Sequence, residues 1–195
     1  NTTGSQNAAI GDQSLANNAT ASNNTACGRN AMGSNTTGTQ NVAVGVQALD
    51  ENTTGSNNVA IGFDAATLSN GGYNVAIGKA AYAASNTISG TVAIGYEAFN
   101  RLTTGNHNLA IGYQAGDHQT GTTDTVLVGY SAGTACTTAT ANTIVGSHAF
   151  ASATTSSYNV AMGHAALNNC TTGGLNTAIG RTALLSSTTG YDNTA

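Results

Sequence analysis

Apolar and polar positions along this 195-residue chain recur with one short period. In its clearest copy the apolar stretch is Val59-Ala60-Ile61, preceded by Asn58 and closed by Gly62. The closing glycine returns at Gly11, Gly28, Gly45, Gly62, Gly78, Gly95, Gly112, Gly129, Gly146, Gly163 and Gly180, an interval of 17 residues with one of 16. Self-similarity at a fixed short period signals stacked repeats, each burying its apolar face against its neighbours. The apolar stretch is short and rich in β-branched residues, so each copy predicts one strand. The glycine permits a turn. A second apolar pair follows, as in Ala48-Leu49, Ala98-Phe99 and Ala149-Phe150, and predicts a return strand. Polar turn formers such as Asn52-Thr53-Thr54-Gly55 complete the coil. The expected fold is all-β, a parallel β-roll or solenoid of 17-residue coils, forming a single continuous array of about eleven coils over residues 1–195.

Strand alternation puts the residue before each glycine (Ile61, Ile77, Ile94) and the residue two places earlier (Val59, Val75, Val92) on one face, with the residue between them on the other. The β-branched pair is expected to face inward. The residue between is alanine in ten of twelve copies, with Leu127 and Ile144 the exceptions, and no polar residue occurs there. An outward, invariably apolar column of small residues predicts a partner chain packed upon it. A coil of this size encloses a thin core, so docking of three chains, as a homotrimeric rod, would supply the burial that one roll lacks. Asparagine opens the strand in ten of twelve copies, with Thr91 and Thr125 substituting, and its stacked amides are expected to bond along the axis.

Composition narrows the function. Only 6% of residues are charged, against about a quarter in an ordinary globule, and the formal net charge is -4. Four basic residues, Arg29, Lys79, Arg101 and Arg181, give no positive stripe for phosphates, so nucleic acid is not an expected partner. No run of about 18 apolar residues is present to span a bilayer. The eight acids are scattered over different columns, and His107, His118, His148 and His164 fall at four different places in the repeat. Neither pattern offers paired carboxylates, a nucleophile–base set or metal-ligand spacing. No catalytic, metal or cofactor site is expected, and the chain reads as non-enzymatic. Cys27 takes the apolar place before Gly28 and is expected in the core; Cys136 and Cys170 lie two coils apart, roughly 9.6 Å at one strand spacing per coil, so three free thiols are expected.

Two ladders stand out. Tyr96, Tyr113 and Tyr130 each follow the marker glycine on successive coils, with Phe63 farther back in the column. They form either a strip for a glycan or protein, or a mutually stacked cover over the turn. The second ladder is threonine, eight places before the glycine at Thr37, Thr54, Thr104, Thr138, Thr155 and Thr172 among others; hydroxyl-to-backbone bonding within the turn explains it more simply than ice binding. The array begins and stops inside a repeat, which leads to the expectation of a segment of a longer fibre.

The repeat Asn-Val-Ala-Ile-Gly, with alanine three places on, resembles the head repeat of trimeric autotransporter adhesins of the YadA-like, haemagglutinin-repeat type, and the resemblance covers the whole chain. It implies a left-handed parallel β-roll whose three chains form a rod presenting an adhesive surface outside the cell. The longer period, with its Asn-Thr-Thr-Gly turn, also resembles the shafts of phage tail fibres. The expected function is an extracellular structural or adhesive fibre segment on a cell or virion surface. Its partner is itself, and a host or surface glycan or protein is the expected ligand. The alternatives are a self-assembling filament of rolls stacked end to end without a specific ligand, and a phage tail-fibre shaft.

Overall fold

The computed structural model describes residues 3–84 and 87–195, and among these the only regular elements are strands. They are β1 (Ala8–Ile10), β2 (Thr25–Cys27), β3 (Val42–Val44), β4 (Val59–Ile61), β5 (Val75–Ile77), β6 (Val92–Ile94), β7 (Leu109–Ile111), β8 (Val126–Val128), β9 (Thr143–Val145), β10 (Val160–Met162) and β11 (Thr177–Ile179). They pair in sequence order as one parallel sheet, the β-solenoid that the period predicts. Equivalent residues face each other throughout: Val42 pairs with Val59, Ala43 with Ala60, Val44 with Ile61. The short interval changes nothing in this register, because Val59 pairs with Val75 and Ile61 with Ile77.

The marker glycines hold the stack together where it is tightest. Gly45 has φ 135°, and a Cβ built on it would lie 2.3 Å from the carbonyl oxygen of Gly62 in the next coil. Both the backbone conformation and the space demand glycine. The segment after it is not the expected return strand. Its backbone alternates handedness, with Gln47 (φ 60°) and Leu49 (φ 52°) left-handed, and the same two places are left-handed at Glu97 and Phe99. The alternation turns successive N–H groups to opposite neighbours: Gln47 N–H donates to Arg29 O of the preceding coil at 2.9 Å, and Leu49 N–H to Ala65 O of the following coil at 3.0 Å. An interior coil thus bonds its backbone to both neighbours without a second ladder. A left-handed residue costs about 1–2 kcal/mol, and burial of the side chain offsets that cost at Leu49, Phe99 and Phe150, all fully buried.

The two sides of each strand are the reverse of the expectation. The central alanines, Ala26 to Ala178, are the buried residues, together with Leu127 and Ile144, whereas the flanking Val and Ile point outward. The thinness of the coil is the reason. Opposite the strands stand Leu49, Tyr82, Phe99, Phe150 and Leu167, which fill most of the interior, so in four of these five coils the strand side carries only a methyl group, Ile144 beside Phe150 being the exception. Of the two larger residues in this column, Leu127 follows the same rule. Leu127 occupies space released at Gly116 and Gly133, where an added Cβ would come within 2.8 and 2.7 Å of its methyl groups. Cys27, expected in the core, sits half-buried in the outward row.

From Asn24 to Asn176 the strand-opening asparagines are buried, and their bonds run mostly to backbone rather than amide to amide. Asn41 Oδ1 accepts from Asn58 N–H at 2.9 Å, while Asn41 Nδ2 donates to Gly55 O at 2.8 Å. Direct amide pairs enter only near β10 and β11, as from Asn176 Nδ2 to Asn159 Oδ1 at 3.1 Å. Where Thr91 substitutes, its Oγ1 is buried without a partner. A second buried asparagine column, Asn18, Asn35 and Asn52, lies in the polar turn, with Asn35 Nδ2 donating to Asn18 Oδ1 and Asn52 Nδ2 to Asn35 Oδ1. Hydroxyl-to-backbone bonding does organise the threonines, but in the column nine places before the glycine: Thr103, Thr120, Thr137, Thr154 and Thr171 each donate to the carbonyl one coil on, at 2.9–3.1 Å.

Candidate interaction surfaces

Outward residues of the strands form two aliphatic rows along the stack. From β3 to β8 one row reads Val42, Val59, Val75, Val92, Leu109, Val126 and the other Val44, Ile61, Ile77, Ile94, Ile111, Val128. The sequence spacing put these side chains together correctly but on the wrong side of the sheet. Ile61 and Ile111 are 40% and 37% exposed, while Ala60 and Ala110 between the rows are fully buried. Eleven strands at about 4.8 Å make a face roughly 50 Å long, with no charged side chain in either row but with Thr25, Thr143 and Thr177 interrupting the first row outside β3–β8. Contiguous exposed apolar surface beyond a few hundred Å² marks an interaction site.

Past the glycine turn, Tyr96, Tyr113 and Tyr130 stand in one column and stack on one another, which is the second of the two readings given above. Tyr96 and Tyr113 stack with centroids 4.8 Å apart and planes 12° from parallel, and Tyr113 and Tyr130 at 5.4 Å and 12°. The column continues through His148, 5.0 Å from Tyr130, and His164, 6.1 Å farther on. At its other end Lys79 Nζ lies 5.9 Å from the Phe63 ring centroid and 5.6 Å from that of Tyr96, a cation held between two π faces. Stacking occupies the ring faces and leaves edges and phenol groups outward, with Tyr113 and Tyr130 about half exposed. Glu97, one place on, accepts from Gln114 Nε2 at 2.8 Å, which holds its carboxyl below the ordinary range. Its hydrogen bond with Tyr96 raises that phenol above its ordinary value. The extension through the two histidines was not anticipated, because His148 and His164 occupy different places in the repeat and meet only through their side-chain reach.

Other reactive groups do not converge. Among the described residues no group of three or more His, Cys, Asp and Glu is placed to hold a metal ion, and no helix is long and apolar enough to cross a membrane. His107 Nδ1 lies 3.5 Å from Asp124 on the exposed surface, and His118 Nδ1 3.8 Å from Asp117. All three cysteines are free. Burial pushes the Cys136 thiol up to about 12, far from the range of a reactive thiolate.

No protein family, curated protein or solved structure matches this chain.

Proposed function

We propose that the chain is a structural segment of an extracellular fibre, in which copies dock through their aliphatic faces into a stiff rod that presents or spaces an attachment surface. One observation carries the reading: an uncharged double row, built from Val, Ile and Leu109 between β3 and β8, faces outward on a rod whose interior is already filled by Ala, Leu, Phe and Tyr. Burying those rows against another copy would remove their apolar surface from water, at about 25 cal/mol per Å². The number three and the location outside the cell come from the resemblance to adhesin heads and tail-fibre shafts. The role is mechanical and adhesive rather than catalytic.

Sedimentation velocity tests the reading. The chain is expected to run as a discrete oligomer, and the double variant Ile61→Lys, Ile94→Lys as a folded monomer, because each lysine places a charge on the face without touching the core. A well-folded parent monomer at tens of micromolar overturns it. Rods that lengthen without limit, with the lysine variant unaffected, identify instead a filament of rolls stacked end to end.

A further inference from the structure

The aliphatic rows bring copies together but cannot say at what height. A slip of one coil, about 4.8 Å, sets Val59 where Val75 was and Ile77 where Ile94 was, so from β3 to β8 each slipped position presents nearly the same side chains. A face that repeats in this way specifies register weakly. Its size is also modest: two rows along about 50 Å give on the order of 500 Å², short of the roughly 800 Å² per partner of a standard interface.

The ring column adds what the rows lack. It follows the same strands in the chain, and it varies from coil to coil more than the rows do. Counted coil by coil the residue after the glycine is Val46, Phe63, Lys79, Tyr96, Tyr113, Tyr130 and Ser147, so a slip of one coil keeps tyrosine beside tyrosine at two places and changes the neighbours at both ends of the run. Its rings are already ordered by mutual stacking at 4.8 and 5.4 Å, so little side-chain freedom remains to be lost on contact. Aromatic side chains are also the residues that dominate interface energies.

We propose that the block Phe63, Lys79, Tyr96, Tyr113 and Tyr130 contacts a second copy of this chain at the rim of the aliphatic face and fixes the axial register of the assembly. This rests on the self-association proposed above. The aliphatic rows supply attraction at any height; the aromatic block makes one height the best.

Cross-linking reads register directly. On a Cys27→Ser background, chains carrying Ile94→Cys and Ile111→Cys, distinguished by mass, are mixed, assembled and treated with a short bis-maleimide. In register, like pairs dominate, and the mixed pair offset by one coil is minor. Replacing Tyr96, Tyr113 and Tyr130 together by Ser, the residue found at Ser147, is expected to leave the sedimentation coefficient unchanged. It should raise the mixed product roughly tenfold, the factor that about 1.4 kcal/mol of register preference carries. A second variant with Val at the three positions, as at Val46, gives the same test should the serine chain not fold. An oligomer whose cross-link ratio is the same with and without the rings overturns the register claim and leaves the self-association standing. A parent chain that sediments as a monomer overturns both.

Discussion

At Asn70 the chain is one residue short, and at Leu127 one residue is too large for its column; the fold repairs the two faults by different means. In an ordinary coil the polar turn is anchored on a peptide carbonyl: Thr36 N–H, Thr37 N–H and the Thr36 hydroxyl all donate to Thr53 O, at 3.0, 3.1 and 2.8 Å. One coil on, the residue that would carry the equivalent carbonyl is missing. The Asn70 side chain takes its place, with Oδ1 accepting from Thr53 N–H, the Thr53 hydroxyl and Thr54 N–H at 2.6, 2.8 and 3.3 Å. At Leu127 no polar group is lost. The extra volume goes into space left by Gly116 and Gly133, which keep the left-handed φ of 65° and 59° that Leu49 and Phe99 have at the same place. At these two places the fold preserves the supply of acceptors to the neighbouring coil and the filling of the core. Sequence identity at any one position is secondary to both.

Breaking the core repair has the largest expected effect. Leu127→Ala restores the residue found in ten of twelve copies, yet here it opens a cavity, because Gly116 and Gly133 do not fill the space. The expected loss is about 3 kcal/mol, within the usual range for a buried leucine. Gly133→Leu alone overfills the core, and a Cβ there already stands 2.7 Å from Leu127. The double variant recreates the arrangement of a regular coil and should recover most of both losses. A denaturant double-mutant cycle measures this; strictly additive losses would mean that the two positions do not share one volume.

The turn repair comes next. Asn70→Ala removes one acceptor and leaves three donors, for an expected loss of about 2 kcal/mol, since two of the donors can still reach water. Its control is Thr120→Ala. That carbonyl accepts from Thr103 and Thr104 N–H, both at 3.0 Å, and survives the substitution, so only the Thr120 hydroxyl bond to Thr137 O is lost, worth about 1 kcal/mol. Equal losses in urea melts would mean that Asn70 is only a turn former.

A third change improves the molecule. Thr91 interrupts the strand-opening asparagines, and its hydroxyl is buried without a partner. Thr91→Asn supplies an Oδ1 where Asn41 and Asn58 already serve the next coil's N–H, and should stabilise by about 1 kcal/mol. A fall in the urea midpoint would show that the threonine is kept for packing.

Much of this was legible in the sequence, and the failures have physical causes. The period, the parallel stack and the tyrosine column follow from spacing alone, because in-register stacking converts a position in the repeat into a column in space. Alternation tells which residues share a face but is silent on which face is inside. Hydrophobicity alone puts Val59 and Ile61 inward, although the signal pointing the other way is present: a column that holds alanine in ten of twelve copies is one where size is limited. Leu127, Gly116 and Gly133 were visible as exceptions in two different columns, but pairing them requires knowing that those columns face each other. The return strand failed because left-handed residues such as Gln47 and Leu49 carry no distinctive side chain. Asn70 could be read as a turn former; its role as a substitute peptide carbonyl exists only in three dimensions.

The smallest expected effect tests whether the second half of the molecule has exchanged polar satisfaction for apolar burial. The turn column that begins with Asn18, Asn35 and Asn52 continues as Leu102, Gln119, Cys136, Ala153 and Cys170, all buried. Burial raises the Cys136 thiol from 9.0 to about 12, so the native chain keeps it neutral where an unfolded chain ionises. The sign follows: its contribution is fully present below pH 9 and is lost as pH rises from 9 toward 12, because only the unfolded state releases the proton. At pH 9.5 the loss is under about 1 kcal/mol. Comparing thermal midpoints of the parent and Cys136→Ala between pH 7 and 9.5 isolates it, since every other group titrates in both, and alanine is already tolerated in the column at Ala153. The parent should fall more steeply with pH. Parallel curves would place Cys136 in contact with water, and with it the interior of the coils that carry the aromatic block.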